Sequence, residues 1–258
     1  METERPFVLP GDSIDPSLIP VPRQQDAQTQ NSKKQAVLRL GPGLRHMAAT
    51  GAIVPTVPGQ LVVDGRKRSM WVESKGGRYV ASVGDVVIGQ VQRSAGGDLF
   101  YVNLSPYTSN AILPHLAFEG ASKKTRPQLA PGALVYARVS LANRHMDPEL
   151  ECVSPATGKA DGLGPLVGGT VFDVSLGLAR RLLMARSREE GQVAVLDFLG
   201  DEGLAFETAI GRNGKVWVRS DSIKTMIAVG RALQKTDEDD LSVDDQRKMV
   251  KWLIKSMR

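Results

Sequence analysis

Residues 98–104 read Asp-Leu-Phe-Tyr-Val-Asn-Leu, and this stretch decides how the middle of the chain is interpreted. Phe100, Val102 and Leu104 fall on one side of an extended segment, while Tyr101 falls on the other. Such alternation is typical of a β-strand that packs one face and turns the other to solvent or a ligand. Four more strands of similar length are predicted around it, at Val86–Val91, Ser109–Leu113, Leu134–Ser140 and Glu149–Ser154.

Turn signals separate these strands, and a short apolar segment, residues 115–118, follows the third. Five strands with an insert at that place predict a small OB-type barrel. That fold binds oligonucleotides on its second and third strands and on the adjoining loops. A structural barrel without a ligand fits the same pattern equally well.

The predicted fold class is a multidomain chain, mainly β with α+β parts. Residues 1–75 predict a small N-terminal β domain, with a mobile loop at about 12–35 where apolar groups are too few to offset the entropy of ordering. Residues 76–155 contain the OB-type barrel, and a turn-rich connector opens residues 156–258. There the order strand, helix, helix, strand, strand, helix is typical of a KH domain, a single-strand nucleic-acid module.

The composition is that of an ordinary folded protein and excludes several other classes. The 258 residues are 41% hydrophobic and 24% charged, so sizeable cores are expected. No apolar run approaches the ~20 residues of a membrane helix, so no membrane contact is expected. The single cysteine, Cys152, cannot form an intramolecular disulfide, and its place in an alternating segment predicts a small buried side chain.

Positive charge is spread thinly along the chain, so nucleic-acid contacts would have to come from local clusters. The cluster of Lys123, Lys124 and Arg126 lies in a barrel loop and could cover two or three phosphates, although a solvated loop fits the charge alone. Tyr101 and Tyr107 could stack on bases. An outward tyrosine can equally pack against a neighbouring domain. The other clusters are Lys33-Lys34 and residues 66–68.

The sequence Gly211-Arg212-Asn213-Gly214 matches the GXXG pattern that clamps RNA backbone in KH domains, but its position favours a structural turn. It joins two predicted strands rather than two helices, and Asn-Gly is a strong hairpin signal because both residues tolerate positive φ. Trp217 is interpreted as a buried anchor rather than a base-stacking platform.

Two features near the C-terminus concern helix ends. Ser175 is placed to cap a helix. The acidic run of residues 237–240 is interpreted as a solvated loop between two helices rather than a metal site.

Catalytic patterns find little support in the sequence. His46, His115 and His145 have no metal-type spacing, and His115 is expected to be a buried, satisfied histidine. No phosphate-binding loop, nucleophile elbow or recognisable pair of carboxylates is present. We therefore expect no enzyme activity, no metal and no cofactor.

Several motifs together resemble one family over nearly the whole chain, the exosome component 3 family, a cap subunit of the eukaryotic RNA exosome. The motifs are Val-Leu-Pro-Gly-Asp at 8–12, Leu-Gly-Pro-Gly-Leu at 40–44, Trp-Val-Glu-Ser at 71–74, Phe-Glu-Gly-Ala-Ser-Lys-Lys-x-Arg-Pro at 118–127, Leu-Val-Tyr-Ala-Arg at 134–138 and Gly-x-Asn-Gly-Lys-x-Trp-Val at 211–218.

The resemblance implies an N-terminal domain, an S1-like barrel and a KH-like domain in a non-catalytic subunit of the nucleus, nucleolus and cytoplasm. Its implied partners are a ring of RNase PH-like subunits, the other S1/KH cap subunits and single-stranded RNA, which enters a central channel for decay and processing from the 3′ end. It also implies that Lys123, Lys124 and Arg126 line the RNA path and that the Gly-x-Asn-Gly element is structural. One departure from ordinary S1 domains is Pro114, which occupies the place of their stacking histidine.

Another function remains open at this stage. The same domains could form a free-standing RNA-binding factor, which would bind single-stranded RNA tightly as a monomer. A cap subunit would bind it weakly until assembled.

Overall fold

The structure is a computed structural model that describes residues 6–20, 38–65, 68–74, 76–95, 98–184 and 193–257. It divides into two compact units, Met1–Gly76 and Gly77–Arg258. The predicted barrel and the predicted KH-like domain both lie in the second unit. A hairpin of the KH-like domain packs against the barrel.

The first unit is a small β domain with a four-stranded sheet in the order β1-β5-β6-β2 and a separate hairpin of β3 and β4. A buried apolar cluster that includes Leu61, Met70 and Val72 lies on one face of this sheet. The strands are β1 (Phe7–Val8), β2 (Arg39–Leu40), β3 (Leu44–His46), β4 (Ile53–Pro55), β5 (Gly59–Asp64) and β6 (Ser69–Glu73).

The predicted mobile loop at about 12–35 begins too early in the sequence. Ile14 is buried in the core of the first unit, and Pro16–Leu18 form a short 3₁₀ turn. Asp15 caps this turn by accepting a hydrogen bond from the backbone N–H of Ser17. The apolar anchor at Ile14 explains why this part is packed. Residues 21–35 of the predicted loop lie outside the described part of the chain.

The middle of the chain forms the predicted five-stranded barrel. Its last strand pairs in parallel with the third and antiparallel with the fourth, and these two pairings close the sheet on itself. Alternate residues fill the interior, Phe100 and Val102 among them, as the sequence predicts. The strands are β7 (Val86–Ala95), β8 (Leu99–Asn103), β9 (Ala111–Pro114), β10 (Leu134–Asn143) and β11 (Met146–Glu151).

The predicted burial of Cys152 is confirmed. Its thiol donates to the carbonyl of Tyr136 at 3.7 Å, and burial raises its pKa to about 12. The thiol is therefore neutral in the cell and acts as a packing group.

The predicted connector after the barrel contains a strand that the sequence did not indicate. β12 (Gly164–Leu166) pairs antiparallel with residues 134–136 of β10 and extends the barrel sheet. Three residues, Gly-Pro-Leu, are too few to show an alternating pattern, and proline is tolerated because the strand lies at an edge.

The last part of the chain has the predicted order of elements, with two helices at its C-terminal end as predicted. The sheet order is β13-β15-β14, and three of the helices pack a buried core that includes Val229 and Leu233. The elements are β13 (Thr170–Asp173), α1 (Leu176–Leu183), α2 (Val195–Asp201), β14 (Glu207–Gly211), β15 (Lys215–Arg219), α3 (Ile223–Glu238) and α4 (Val243–Met257).

The start of α1 is held by the acidic run that was predicted to be a solvated loop. Asp237 belongs to α3, and its carboxylate accepts hydrogen bonds from both the backbone N–H and the hydroxyl of Ser175 at 2.6 Å. Ser175 in turn accepts from the N–H of Leu178, as a helix cap should. Asp240 forms an ion pair with Arg181 on α1. The prediction failed for these two carboxylates because their partners lie about sixty residues away in sequence.

We predict that Asp237→Ala destabilises the second unit by about 1–3 kcal/mol, because it leaves the partly buried N–H of Ser175 without an acceptor. The matched control is Glu238→Ala, which removes the same charge one residue further along at an exposed position. Urea unfolding of both variants checks the expectation. Equal stabilities for the two variants would contradict the assignment.

Candidate nucleic-acid interface

The Gly-x-Asn-Gly segment is the turn of the hairpin formed by β14 and β15. Gly211 pairs with Lys215, so the loop between them has three residues, and the N–H of Gly214 donates to the carbonyl of Gly211 at 3.1 Å. Within this turn only Gly214 has a positive φ, +76°. Asn213 tolerates a positive φ but does not adopt one here. The turn is of the three-residue type with a left-handed glycine at its end.

Asn213 is free of that backbone constraint and uses its side chain to bind the barrel. Its Oδ1 accepts a hydrogen bond from the N–H of Ile88 at 3.2 Å. Its Nδ2 donates to the carbonyls of Ile88 at 2.8 Å and Leu104 at 2.7 Å. The side chain is buried, with 7% of its residue exposed. One amide thus connects the turn to β7 and to the end of β8.

A polar chain beside Asn213 strengthens this contact. The N–H of Arg212 donates to the carbonyl of Val86 at 2.7 Å, and its guanidinium forms an ion pair with Asp85. Asp85 also accepts a hydrogen bond from the hydroxyl of Tyr79 at 3.0 Å. Burial and the neighbouring Asp85 carboxylate raise the pKa of Tyr79, which therefore remains a donor at neutral pH.

The close approach of the turn to the barrel requires glycine at position 211. A Cβ built there would lie 2.7 Å from the backbone nitrogen of Ile88, which cannot move without breaking the strand. The hydroxyl of Tyr136 on β10 donates to the carbonyl of Ile210 at 3.0 Å, immediately before that glycine. The turn is therefore covered by protein where an RNA-clamping loop would be open.

Trp217 is buried, as predicted, with 5% of its residue exposed. It packs with Ile88 of the barrel and Ala209 of the adjacent strand, and its Nε1 donates to the carbonyl of Gly168 at 2.8 Å. It anchors the same junction as Asn213. An aromatic ring in this place has no free face for a base.

The predicted RNA-contacting lysines lie on a tightly hydrogen-bonded turn. The hydroxyls of Ser122 and Thr125 are 2.8 Å apart, and the Thr125 hydroxyl donates to the carbonyl of Gly120 at 3.1 Å. The Ser122 hydroxyl accepts from the N–H groups of Lys124 and Thr125. Lys123 and Lys124 are both exposed on this turn. We refer to residues 120–126 as the lysine turn.

Arg126 differs from the two lysines, because it is paired within the protein. Its guanidinium donates to the carboxylate of Asp98, the residue immediately before β8. Of the three cations that were predicted to be available for RNA, two therefore remain, Lys123 and Lys124. The third anchors the lysine turn beside the start of β8.

The two predicted stacking tyrosines lie in different places. Tyr101 is half-buried on β8, and the guanidinium of Arg93, its cross-strand partner on β7, lies 4.9 Å from its ring centroid. Tyr107 is 75% exposed and lies in the loop between β8 and β9. Asp98 precedes β8, so the two residues lie beyond opposite ends of that strand. The structure therefore places Tyr101 of β8 beside Arg93 of β7 and leaves Tyr107 apart. Sequence reasoning missed Arg93, because the register of β7 shifts between Val91 and Arg93 and breaks the alternation that would have placed its side chain.

His115 follows Pro114 at the end of β9 and is buried, as predicted, but its Nδ1 has no hydrogen-bond partner among the described residues, so the prediction of a satisfied histidine is wrong for that atom. Its ring centroid lies 4.0 Å from that of Phe100, and its Nε2 lies 3.4 Å from the hydroxyl of Ser94. The ring of this histidine packs into the barrel, so it is too buried to stack on a base.

Two features are absent from the described part of the chain. No helix in it is long and apolar enough to cross a membrane. Among the same residues, no three histidine, cysteine or acidic side chains converge in a way that could hold a metal ion.

A closed five-stranded barrel followed by a KH-like domain defines the S1–KH class of proteins. Three family models match consecutive parts of the chain: "Exosome complex exonuclease Rrp40 N-terminal domain" over residues 38–78, "Exosome complex component RRP40, S1 domain" over 79–164 and "KH domain" over 169–224. The chain belongs to the RRP40 family of exosome complex components.

Relatives of that name are similar over most of their length. The chain is 38% identical to the exosome complex component RRP40 of Drosophila melanogaster, with 86% of this chain and 90% of that one covered. Identity is 36% with the Schizosaccharomyces pombe protein (97% and 95% covered) and 31% with the human one (94% and 88%). The fold also matches a crystal structure of a candidate exosome complex RNA-binding protein. The TM-score is 0.52 at 22% identity, over 69% of this chain and 97% of that one.

We predict that Asn213→Ala destabilises the second unit by about 3 kcal/mol or more, because three buried backbone groups lose their partner. Arg212→Ala is the matched control, since it removes only a partly exposed ion pair and should cost less than about 1 kcal/mol. Thermal melting measures the difference, and hydrogen exchange at the amide of Ile88 locates it. If both variants melt together and the Ile88 amide stays protected, Asn213 does not hold this junction.

Proposed function

We propose that this chain is a non-catalytic, RNA-binding subunit of the exosome that guides single-stranded RNA towards the central channel of a ring of RNase PH-like subunits. The observation that carries the proposal is the lysine turn, which presents two exposed cations from an ordered loop of an OB-type barrel. Membership of the RRP40 family supports the assembly in which this turn would act.

The lysine turn is suited to contact with the phosphate backbone of an RNA strand that moves past it. Lys123 and Lys124 are point charges on flexible stems, so each can follow phosphates without selecting a base. The hydrogen bonds of Ser122 and Thr125 hold the loop that carries them. Because Asp98 neutralises Arg126, the anchor of the turn is separate from the charges that would meet RNA.

The barrel face next to the turn offers a second kind of contact. Arg93 lies over Tyr101, and Ile112 on β9 is the other cross-strand neighbour of that tyrosine. An arginine on the first strand of an OB fold, paired with a tyrosine on the second, can stack on a base and attract its phosphate. Because the described barrel residues form one such pair, we expect weak binding by the isolated subunit and stronger binding in the assembly.

We assign the cutting of RNA to another subunit. The description of the matched N-terminal family model contains the word exonuclease, so this assignment needs its own test. Incubation of the pure chain at high concentration with 3′-labelled single-stranded RNA should leave the RNA intact. The further partners that we propose are the other S1/KH cap subunits, and the proposed locations are the nucleus, nucleolus and cytoplasm.

We predict that Lys123→Gln with Lys124→Gln weakens RNA binding by the assembled complex without lowering its melting temperature. The slope of log affinity against log salt should flatten by about 1.4 units, at roughly 0.7 per lost phosphate contact. RNA affinity measured over a salt series tests this. Lys159→Gln is the control, because Lys159 is an exposed lysine in the segment after the barrel.

The proposal fails if the double variant and the control bind RNA equally at every salt concentration. Tight binding by the isolated wild-type chain, unchanged on assembly, would instead support a free-standing RNA-binding factor.

A further inference from the structure

The C-terminal helices expose one large aromatic side chain that the core does not use. On α4, Met249, Val250 and Leu253 are buried against the rest of the domain, whereas Trp252 points outward and is 62% exposed. The ammonium group of Lys235 on α3 lies 5.3 Å from the centroid of the Trp252 ring. This pair is the centre of what we call the Trp252 surface.

The stretches of α3 and α4 that carry this pair contain positive charge and no carboxylate of their own. Residues 223–236 and 246–257 contain seven lysines and arginines and no aspartate or glutamate. The acidic residues of the two helices all lie between positions 237 and 245, at the end where α3 turns into α4. These stretches of α3 and α4 therefore carry a net positive charge.

Some of these cations are engaged elsewhere. Lys248 is paired with Asp245 at 3.0 Å, and the guanidinium of Arg247 lies over the ring of Phe198. Lys251 lines a shallow pocket with the acidic residues 201 and 202. Four remain exposed and form no salt bridge within the described residues: Lys224, Arg231, Lys235 and Lys255.

Three of the four are well placed around the tryptophan. Arg231 and Lys235 are four residues apart on α3, and Lys255 follows Trp252 by three residues on α4, so each pair shares a helix face. A ring of this size, with cations on its own helix and on the neighbouring one, can stack on a base while the cations meet the flanking phosphates. Lysines are depleted in the centres of protein–protein interfaces, so the charge favours nucleic acid over a protein partner.

We propose that the Trp252 surface is a second binding site for single-stranded RNA. Trp252 stacks on one base, and Arg231, Lys235 and Lys255 contact the phosphates on either side. This site deepens the proposed RNA-guiding function and lies on α3 and α4, not on the barrel that carries the lysine turn. It also differs from the hairpin turn, which is covered by protein.

Tryptophan fluorescence of the full chain gives a direct test, with an oligouridylate of about 20 nucleotides as the probe. The chain has three tryptophans, of which Trp217 is buried. Because stacking quenches indole emission, RNA should quench the wild-type chain, and most of this quenching should vanish in Trp252→Phe. Phenylalanine still offers an aromatic face, so the affinity of that variant should change by less than about threefold.

Removal of the aromatic ring in Trp252→Ala should lower RNA affinity more than its replacement in Trp252→Phe. Trp252→Ala is expected to lower RNA affinity by on the order of fivefold to a hundredfold. Since the side chain is mostly exposed, the melting temperature should stay close to that of the wild type. Lys235→Gln with Lys255→Gln should flatten the salt slope by about 1.4 units, for two lost phosphate contacts. Lys159→Gln is again the matched control.

Two results would overturn the proposal. One is RNA binding that leaves the emission of Trp252 unchanged, with equal affinities for wild type, Trp252→Ala and the double lysine variant. The other is that these variants bind RNA normally but no longer copurify with other exosome subunits, which would make the surface a protein contact. Loss of RNA binding only in the Lys123 and Lys124 variant would count against this site and leave the proposed function standing.

Discussion

The structure of the second unit depends on one buried amide. Asn213 satisfies the N–H and carbonyl of Ile88 and the carbonyl of Leu104, so the barrel and the KH-like hairpin complete each other's hydrogen bonds. Separation of the two would leave several buried polar groups unpaired, at about 1–3 kcal/mol each. Gly211 allows the approach, and Trp217 fills the space beside it. Barrel and KH-like domain consequently form one compact unit.

The same constraint bears on where RNA can be held. A KH-type clamp needs glycine backbone that is open to phosphates, and here the glycine turn faces strand β7. Besides the Arg93–Tyr101 pair, the groups that we propose for RNA contact are the lysines of a barrel loop and the cations around Trp252. Both are held by ordered structure, the first by Ser122, Thr125 and the Asp98–Arg126 ion pair. We therefore envisage an RNA strand that touches several modest sites along the subunit.

The sequence predicted the parts of the fold in which a local pattern is sufficient. Alternation along Phe100 and Val102 gave the barrel, and the order of elements gave the KH-like domain. It missed contacts between distant segments, because no local pattern encodes them. The partners of Asn213 lie more than a hundred residues away, and neither the capping role of Asp237 nor the pairing of Arg126 with Asp98 has a local signature. At the candidate site it singled out the lysines from charge together with the family resemblance, but it overstated the number of available cations.

The most direct test is to crosslink single-stranded RNA by ultraviolet light to the assembled complex that contains this chain, and to map the crosslinked peptides by mass spectrometry. The account predicts crosslinks in the peptide that carries residues 120–126 and in the one that carries Trp252, with none at residues 211–214. Crosslinks at the Gly-x-Asn-Gly turn would contradict it, because a turn whose amide is bound to Ile88 and Leu104 cannot also hold RNA.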